Sequence, residues 1–381
     1  MNKFFALALT LLMASGCVQS EQFVRSGSIA LGDITASSDI SNIAISPEGT
    51  LACVVGSYVK ERDAVSYSTV TMLDLVQKKA SWTRQIAPPE ATANIYAIAC
   101  RFHGKDLYVL ANADSTRAMA NNQSRVYLYK YAGSGEEIKH VAVPVATESR
   151  IAIDLLVHNG GLHVIGYGKD EDTTNEYYSM FISAVDETLA FQTRMMKDGG
   201  YTQFSAARSI GGTIYIGGDF FPKTVAKTDL PIYYANSKIK SNGGYLWSVR
   251  PKHKVVSASE NIATAIDDKA TTFSLSQSKA TSSVIAVDAS GKIRPAIVYK
   301  STLCKVDLLT PAGNGLLAIR QVCGSGSKHG LVWIDPVAGT ETALDLLGNT
   351  PKFIISDHAN WYGVNANGRG LEFVFGKLEG K

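Results

Sequence analysis

Three side chains are of the types that a small catalytic set needs. Arg150 could orient an anionic or sugar substrate and Tyr201 could hold it through its phenol. Asp154, four residues beyond Arg150, is the nearest carboxylate that could act as acid or base. Together they would make a hydrolase or lyase acting on a glycan or peptide. A second set reads as recognition rather than chemistry. Asn42, Asn94, Arg150, Tyr201, Gln203 and Asn261 offer amides, a guanidinium and a phenol to a sugar, a carboxylate or a peptide backbone. Asp307, like Asp154, falls within a strand pattern, and carboxylates so placed could bind calcium or serve as acid and base. Stronger catalytic signatures are missing from the sequence. Gly324-Ser325-Gly326-Ser327 lacks the Gly-x-Ser-x-Gly spacing of a nucleophile elbow. There is no His-Glu-x-x-His and no Gly-rich phosphate loop. The histidines are scattered, with His103, His158 and His358 in three separate turns and His163 inside a strand. The expectation is therefore a binding protein without cofactor or metal, with the hydrolase or lyase as the alternative.

The elements that must position these residues repeat along the chain. Seven segments share one plan: a short apolar strand, a tight turn, and a second strand rich in Gly, Val and aromatics. The turns fall at Pro47-Glu48-Gly49, His103 to Asp106, His158 to Gly161, Gly211-Gly212, Asp267-Asp268, Pro311 to Gly315 and His358 to Asn360. Second strands then start near 51, 107, 162, 214, 271, 316 and 361. Short strands joined by turn residues at a period of about 50 predict an all-β, seven-bladed propeller. Helical runs of 3.6-residue period are almost absent. Third strands are predicted at 70–75, 125–129, 178–184, 244–249, 283–287, 330–334 and 371–375. The last blade lacks an outer strand of its own, and Gln22 to Gly32 is surplus ahead of the first. That N-terminal strand is expected on the edge of the last blade, closing the ring.

The innermost strands would line a central channel, with the polar set at its mouth. The connections from second to third strands look long in four blades, at 57–69, 111–124, 167–177 and 219–243. Turns between first and second strands are minimal. One face is thus elaborated and the other trimmed, and long loops carry binding more often than scaffold. The fourth connection, with Phe220-Phe221, Tyr233-Tyr234 and five lysines between Lys223 and Lys240, suits contact with a protein or glycan. Cys304 and Cys323 flank the turn at 311–315 and should face each other across a hairpin, which leaves Cys53 to pair with Cys100. None of the four sits in a Cys-x-x-Cys, so redox chemistry and zinc are poorly supported.

The N-terminus supplies an address. Lys3 precedes an apolar run from Phe4 to Met13, and Ala14-Ser15-Gly16-Cys17 follows. The run is too short for a stable span. The segment resembles a bacterial lipobox, which implies a signal peptide at 1–16, acylation at Cys17, a tether at 17–21 and one propeller domain at 22–381. Val18 rather than Asp implies an outer-membrane lipoprotein. The chain carries 37 Lys plus Arg against 34 Asp plus Glu, a formal +3, which gives no electrostatic case for nucleic acid.

Ser283 to Lys292 and Gly330 to Gly339 each contain a strand ending in Asp, at Asp288 and Asp335, then a short turn with Gly. Thr71-Met72-Leu73-Asp74 echoes them, and Trp82 stands on the following strand. These stretches resemble exported propellers of the broad WD-like and quinoprotein-like type. The resemblance implies the fold. Quinone-dependent dehydrogenases of that group carry a vicinal cysteine pair, which this sequence lacks. The sequence therefore points to a lipid-anchored propeller that presents its long-loop face to an envelope protein or glycan.

Overall fold

The computed structural model describes residues 22–32, 38–60, 65–87, 94–114, 124–145, 150–169, 178–196, 200–222, 233–240, 245–251, 262–278, 281–301, 303–323, 328–348, 350–357, 359–367 and 370–379. Strand β1 (Gln22–Ala30) leads the chain. Blade 1 is β2 (Asp39–Ile45), β3 (Leu51–Lys60), β4 (Val65–Asp74) and β5 (Lys79–Ile86). Blade 2 is β6 (Asn94–His103), β7 (Asp106–Asp114), β8 (Ser124–Tyr131) and β9 (Glu137–Ala142). Blade 3 is β10 (Arg150–His158), β11 (Gly161–Lys169), β12 (Tyr178–Val185) and β13 (Phe191–Met196). Blade 4 is β14 (Gly200–Ile210), β15 (Thr213–Pro222), β16 (Tyr233–Ile239) and β17 (Tyr245–Val249). Blade 5 is β18 (Ile262–Ile266), β19 (Thr272–Ser278), β20 (Thr281–Val287) and β21 (Ile297–Lys300). Blade 6 is β22 (Leu303–Ala312), β23 (Gly315–Val322), β24 (His329–Asp335) and β25 (Thr340–Leu344). Blade 7 is β26 (Pro351–Asp357), β27 (Asn360–Asn367) and β28 (Gly370–Glu379), with β1 as its outer strand.

The seven sheets are antiparallel and four-stranded, and β1 pairs with β28 from Gln22↔Glu379 to Ala30↔Glu372. The first and last strands thus share one blade, which closes the ring as expected and hides two sheet edges.

Each strand feeds two seams, because successive side chains point to opposite sheet faces. On β3, Cys53 and Val55 join Ile95, Cys100 and Val109 of blade 2, while Ala52 and Val54 join Val364 and Phe373 of blade 7. Among the described residues the buried apolar side chains fall into seven clusters, one per seam, so the core is a ring of seams rather than one centre. The thinnest among the described residues is the seam of blades 4 and 5, with Tyr215 against Ile266 and Ala270.

Both expected disulfides are present. Cys53–Cys100 joins β3 to β6 across the first seam, with Cα atoms 6.6 Å apart. Cys304–Cys323 ties the start of β22 to the residue after β23, at 5.0 Å. Aspartates at the ends of third strands cap the turns that follow. The Asp288 carboxylate accepts from Ser290 and Lys292 N–H groups at 2.9 and 3.1 Å, and Asp335 does the same for Val337 and Ala338 at 2.7 and 2.8 Å. These bonds stabilise the charged form and hold the exposed Asp288 carboxyl below its ordinary range, the Ser290 hydroxyl contributing most.

Blade 4 departs from the expectation. Its third strand is Tyr233–Ile239, and the stretch expected at 244–249 holds the outer strand instead, Tyr245–Val249. Phe220 and Phe221 lie on β15, and Tyr233 and Tyr234 pair across from Phe220 and Asp219. The connection spans 223–232, so these aromatics belong to an extended hairpin instead of a loop. The physical reason is cross-strand pairing: aromatics favour a pleated surface, and here they continue the ladder.

Candidate functional site

The connections between second and third strands, together with the starts of the innermost strands, define the elaborated face. Along the inner strands the expected polar residues separate into different tasks. Asn42 sits midway along β2, where its side-chain oxygen accepts from Arg101 Nη1 at 2.8 Å and from the Cys100 N–H at 3.3 Å. Arg101 Nη2 reaches Asp154 at 2.8 Å, and Asp154 also accepts from the Leu155 N–H. Blades 1, 2 and 3 are thereby joined by one polar chain. Burial raises the Asp154 carboxyl above its ordinary range, against the opposing pull of Arg101. Arg101 was not among the sequence candidates; the partner that holds Asp154 lies 53 residues away, with no local signal.

Asn94 accepts from the Ser66 N–H at 2.9 Å, a bond that pins blade 2 to blade 1. The Arg150 guanidinium donates to the Val145 carbonyl, and its backbone exchanges bonds with the Ser124 hydroxyl. Arg150 and Asp154 therefore hold different partners. Tyr201 and Gln203 lie on β14, Phe221 on β15, and Tyr233 and Tyr234 on β16, with side chains outside the described residues. Asn261, Cys17 and His358 also lie outside them.

His158 and His163 are buried, their rings edge to face at 5.1 Å, and burial lowers both imidazoles from their ordinary range. Among the described residues no group of three or more His, Cys, Asp or Glu is arranged to hold a metal.

Asp307 stands out of this background. It occupies a bulge of β22 between Val306 and Leu308. Its carboxylate lies 3.1 Å from Lys305 Nζ and 3.0 Å from His329 Nε2. A cavity of about 520 Å³ opens here, lined by Lys305, Asp307, Ile319 and His329 of blade 6, by Thr350, Pro351, Lys352 and Ala366 of blade 7, and by Asp39 of blade 1. Lys352 fills the bulge of β26, and its Nζ lies 3.9 Å from Asp39, whose side chain is 91% exposed. The cavity belongs to the elaborated face, because these residues cluster at the starts of β2, β22, β24 and β26 and at the end of β27. Of these residues the sequence marks Asp307 alone; Lys305 shares its strand, His329 comes from β24 of the same blade, Lys352 from the neighbouring blade, and Asp39 is brought in by ring closure. A second cavity of about 520 Å³ lies on the trimmed face between blades 5 and 6, beside Asp267, Arg294, Asn314 and Val337.

No protein-family model matches the chain, and no curated protein sequence matches it. Solved structures do resemble it. The Dos1 propeller superposes with a TM-score of 0.54 at 9% identity, covering 94% of this chain and 96% of that one. A puromycin-hydrolyzing peptidase of Mycobacterium tuberculosis gives 0.55 at 12% identity, and an acylaminoacyl peptidase of Pyrococcus horikoshii 0.50 at 10%. The match covers 87% of this chain and 50% of either peptidase, so the chain spans about half their length. At these identities the likeness is one of fold: this chain is a β-propeller.

Proposed function

We propose that this protein is a lipid-anchored binding or scaffold protein of the bacterial outer membrane, presenting its elaborated face to an envelope protein or glycan. The observation that carries the reading is the charge-lined cavity on that face, where extended hairpins from blades 1 to 4 share the same side. The lipobox-like Ala14-Ser15-Gly16-Cys17 supports the anchor. Strand β1 starts at Gln22, paired with Glu379, and runs toward the elaborated face, where Ala30 pairs with Glu372 near the start of β28. Gln22 is therefore on the trimmed side. Five residues reach at most about 18 Å. A lipid on Cys17 would hold the trimmed face toward the membrane and leave the hairpin face free.

Crosslinking in intact envelopes followed by affinity capture should recover one specific partner. A variant with residues 224–231 replaced by a short Gly-Ser linker should lose it while keeping the wild-type melting temperature. Retained capture by that variant sinks the assignment of the face. Mass measurement of the mature N-terminus should find an acylated Cys17, and Cys17→Ser should abolish it.

A further inference from the structure

The seams between blades are built chiefly from apolar side chains, and beside Asp307 the seam of blades 6 and 7 opens into a cavity lined by charges. The inner strands bulge at matching registers: at Ser41, Ile98, Ile153, Ser205, Asp307 and Lys352. In blades 2 and 3 the bulged residue is an isoleucine that packs into the next seam. In blades 6 and 7 the same position holds a charge, and the seam opens into the cavity. Bulges re-aim side chains, and here two consecutive blades use them to bring opposite charges to one opening.

We propose that this cavity binds a single carboxylate carried by a hydroxylated ligand, an acidic sugar being the class that fits; the proposal deepens the glycan reading above. The lining leaves one ammonium for an incoming anion. Lys305 and His329 are held by Asp307, and Lys352 has only the distant Asp39. Asp307 is engaged on both oxygens, by Lys305 and by His329. Lys352 has the loosest partner, since Asp39 lies at 3.9 Å and is almost wholly exposed. An exposed pair of that kind contributes little to stability. An incoming carboxylate displaces it at small cost and takes the ammonium, with the His329 ring alongside. Asp39, released, accepts from ligand hydroxyls. A dianion such as phosphate would place its second charge against Asp307 and Asp39. A peptide C-terminus is captured by backbone N–H groups in nests, whereas this cavity offers side-chain charges on strands. Ile319, Pro351 and Ala366 give one apolar wall for a sugar ring. The Cys304–Cys323 disulfide adjoins Lys305 and steadies the rim.

The test is calorimetric titration of the detergent-solubilised full chain with glucuronate, glucose, inorganic phosphate and a short peptide with a free C-terminus. Glucuronate should bind, with glucose, phosphate and peptide at least roughly tenfold weaker. Lys352→Gln should weaken glucuronate roughly tenfold or more with an unchanged melting temperature, and Lys352→Arg should retain it. Absence of glucuronate binding, equal binding of phosphate or peptide, or full binding by Lys352→Gln each overturns the proposal. Captured envelope partner with no glucuronate binding discards this inference alone. Glucuronate binding with partner capture unaffected by the 224–231 replacement discards only the face assignment.

Discussion

Replacing Asp219 by Asn should stabilise the protein, and the gain should depend on pH. Asp219 lies on β15 beside the thin seam of blades 4 and 5, and its Oδ1 is buried without a hydrogen-bond partner. Desolvation raises its pKa from 3.8 to about 7. Between those two values the unfolded chain loses a proton that the folded chain keeps. Stability contributed by this group is therefore complete below pH 3.8, falls as pH rises toward 7, and stays lost above it. Three pKa units correspond to about 4 kcal/mol. Asparagine has nearly the same shape and does not ionise. At the matching register of blade 2, Asn112 grips the Ala152 backbone both ways, at 3.0 and 2.9 Å. Asp219→Asn should thus gain up to about 4 kcal/mol at pH 8, or roughly 5 °C in melting temperature for a domain of this size. At pH 4 the difference should vanish. Thermal unfolding of both proteins at pH 4, 6 and 8 reads the effect. A gain of equal size at all three values, or none at pH 8, refutes the reasoning.

Arg320 is wholly buried and pairs with Glu341, while also donating to Ser282 and the Cys304 carbonyl at 3.0 and 3.1 Å. Arg320→Met should cost about 3–5 kcal/mol in urea unfolding by stranding Glu341, and adding Glu341→Met should recover much of it. Non-reducing peptide mapping should find Cys53–Cys100 and Cys304–Cys323; replacing both cysteines of a pair by Ser should cost about 4 and about 3 kcal/mol respectively, from the lengths of the loops they close. Gly376→Ala would put a β-carbon 1.9 Å from the Val24 carbonyl oxygen. It should loosen β1, and hydrogen exchange should show amides of 22–30 losing protection ahead of the rest of blade 7.

Much of this fold is legible in the residues because each blade announces itself locally. The turn glycines and Asp-Asp mark the first hairpins, and apolar runs mark the second strands that bury in two seams. Surplus sequence before blade 1 and a deficit after β28 are enough to place β1. Cys304 and Cys323 straddle a turn, so their pairing is local too. Blade 4 misleads because β16 follows its two tyrosines with Asn236, Ser237 and Lys238: Ser237 is as buried as Ile239, yet nothing apolar flags it. The site is harder to read. Asp154 invites a catalytic role, but Arg101, which neutralises it, comes from the preceding blade. Lys305 and Asp307 are two apart on β22, but His329, Lys352 and Asp39 join them only through the starts of three other strands, two of them on further blades, which no spacing in the chain encodes.

The central claim is that the elaborated face meets a partner in the envelope while the trimmed face looks toward the membrane. A photo-crosslinking residue at Thr350, on the rim of the cavity, compared with one at Val337, which is 82% exposed on the opposite face, tests it directly. The account predicts a discrete crosslinked protein or glycan species from Thr350 and none of that species from Val337. The same species from Val337, with nothing from Thr350, would contradict it.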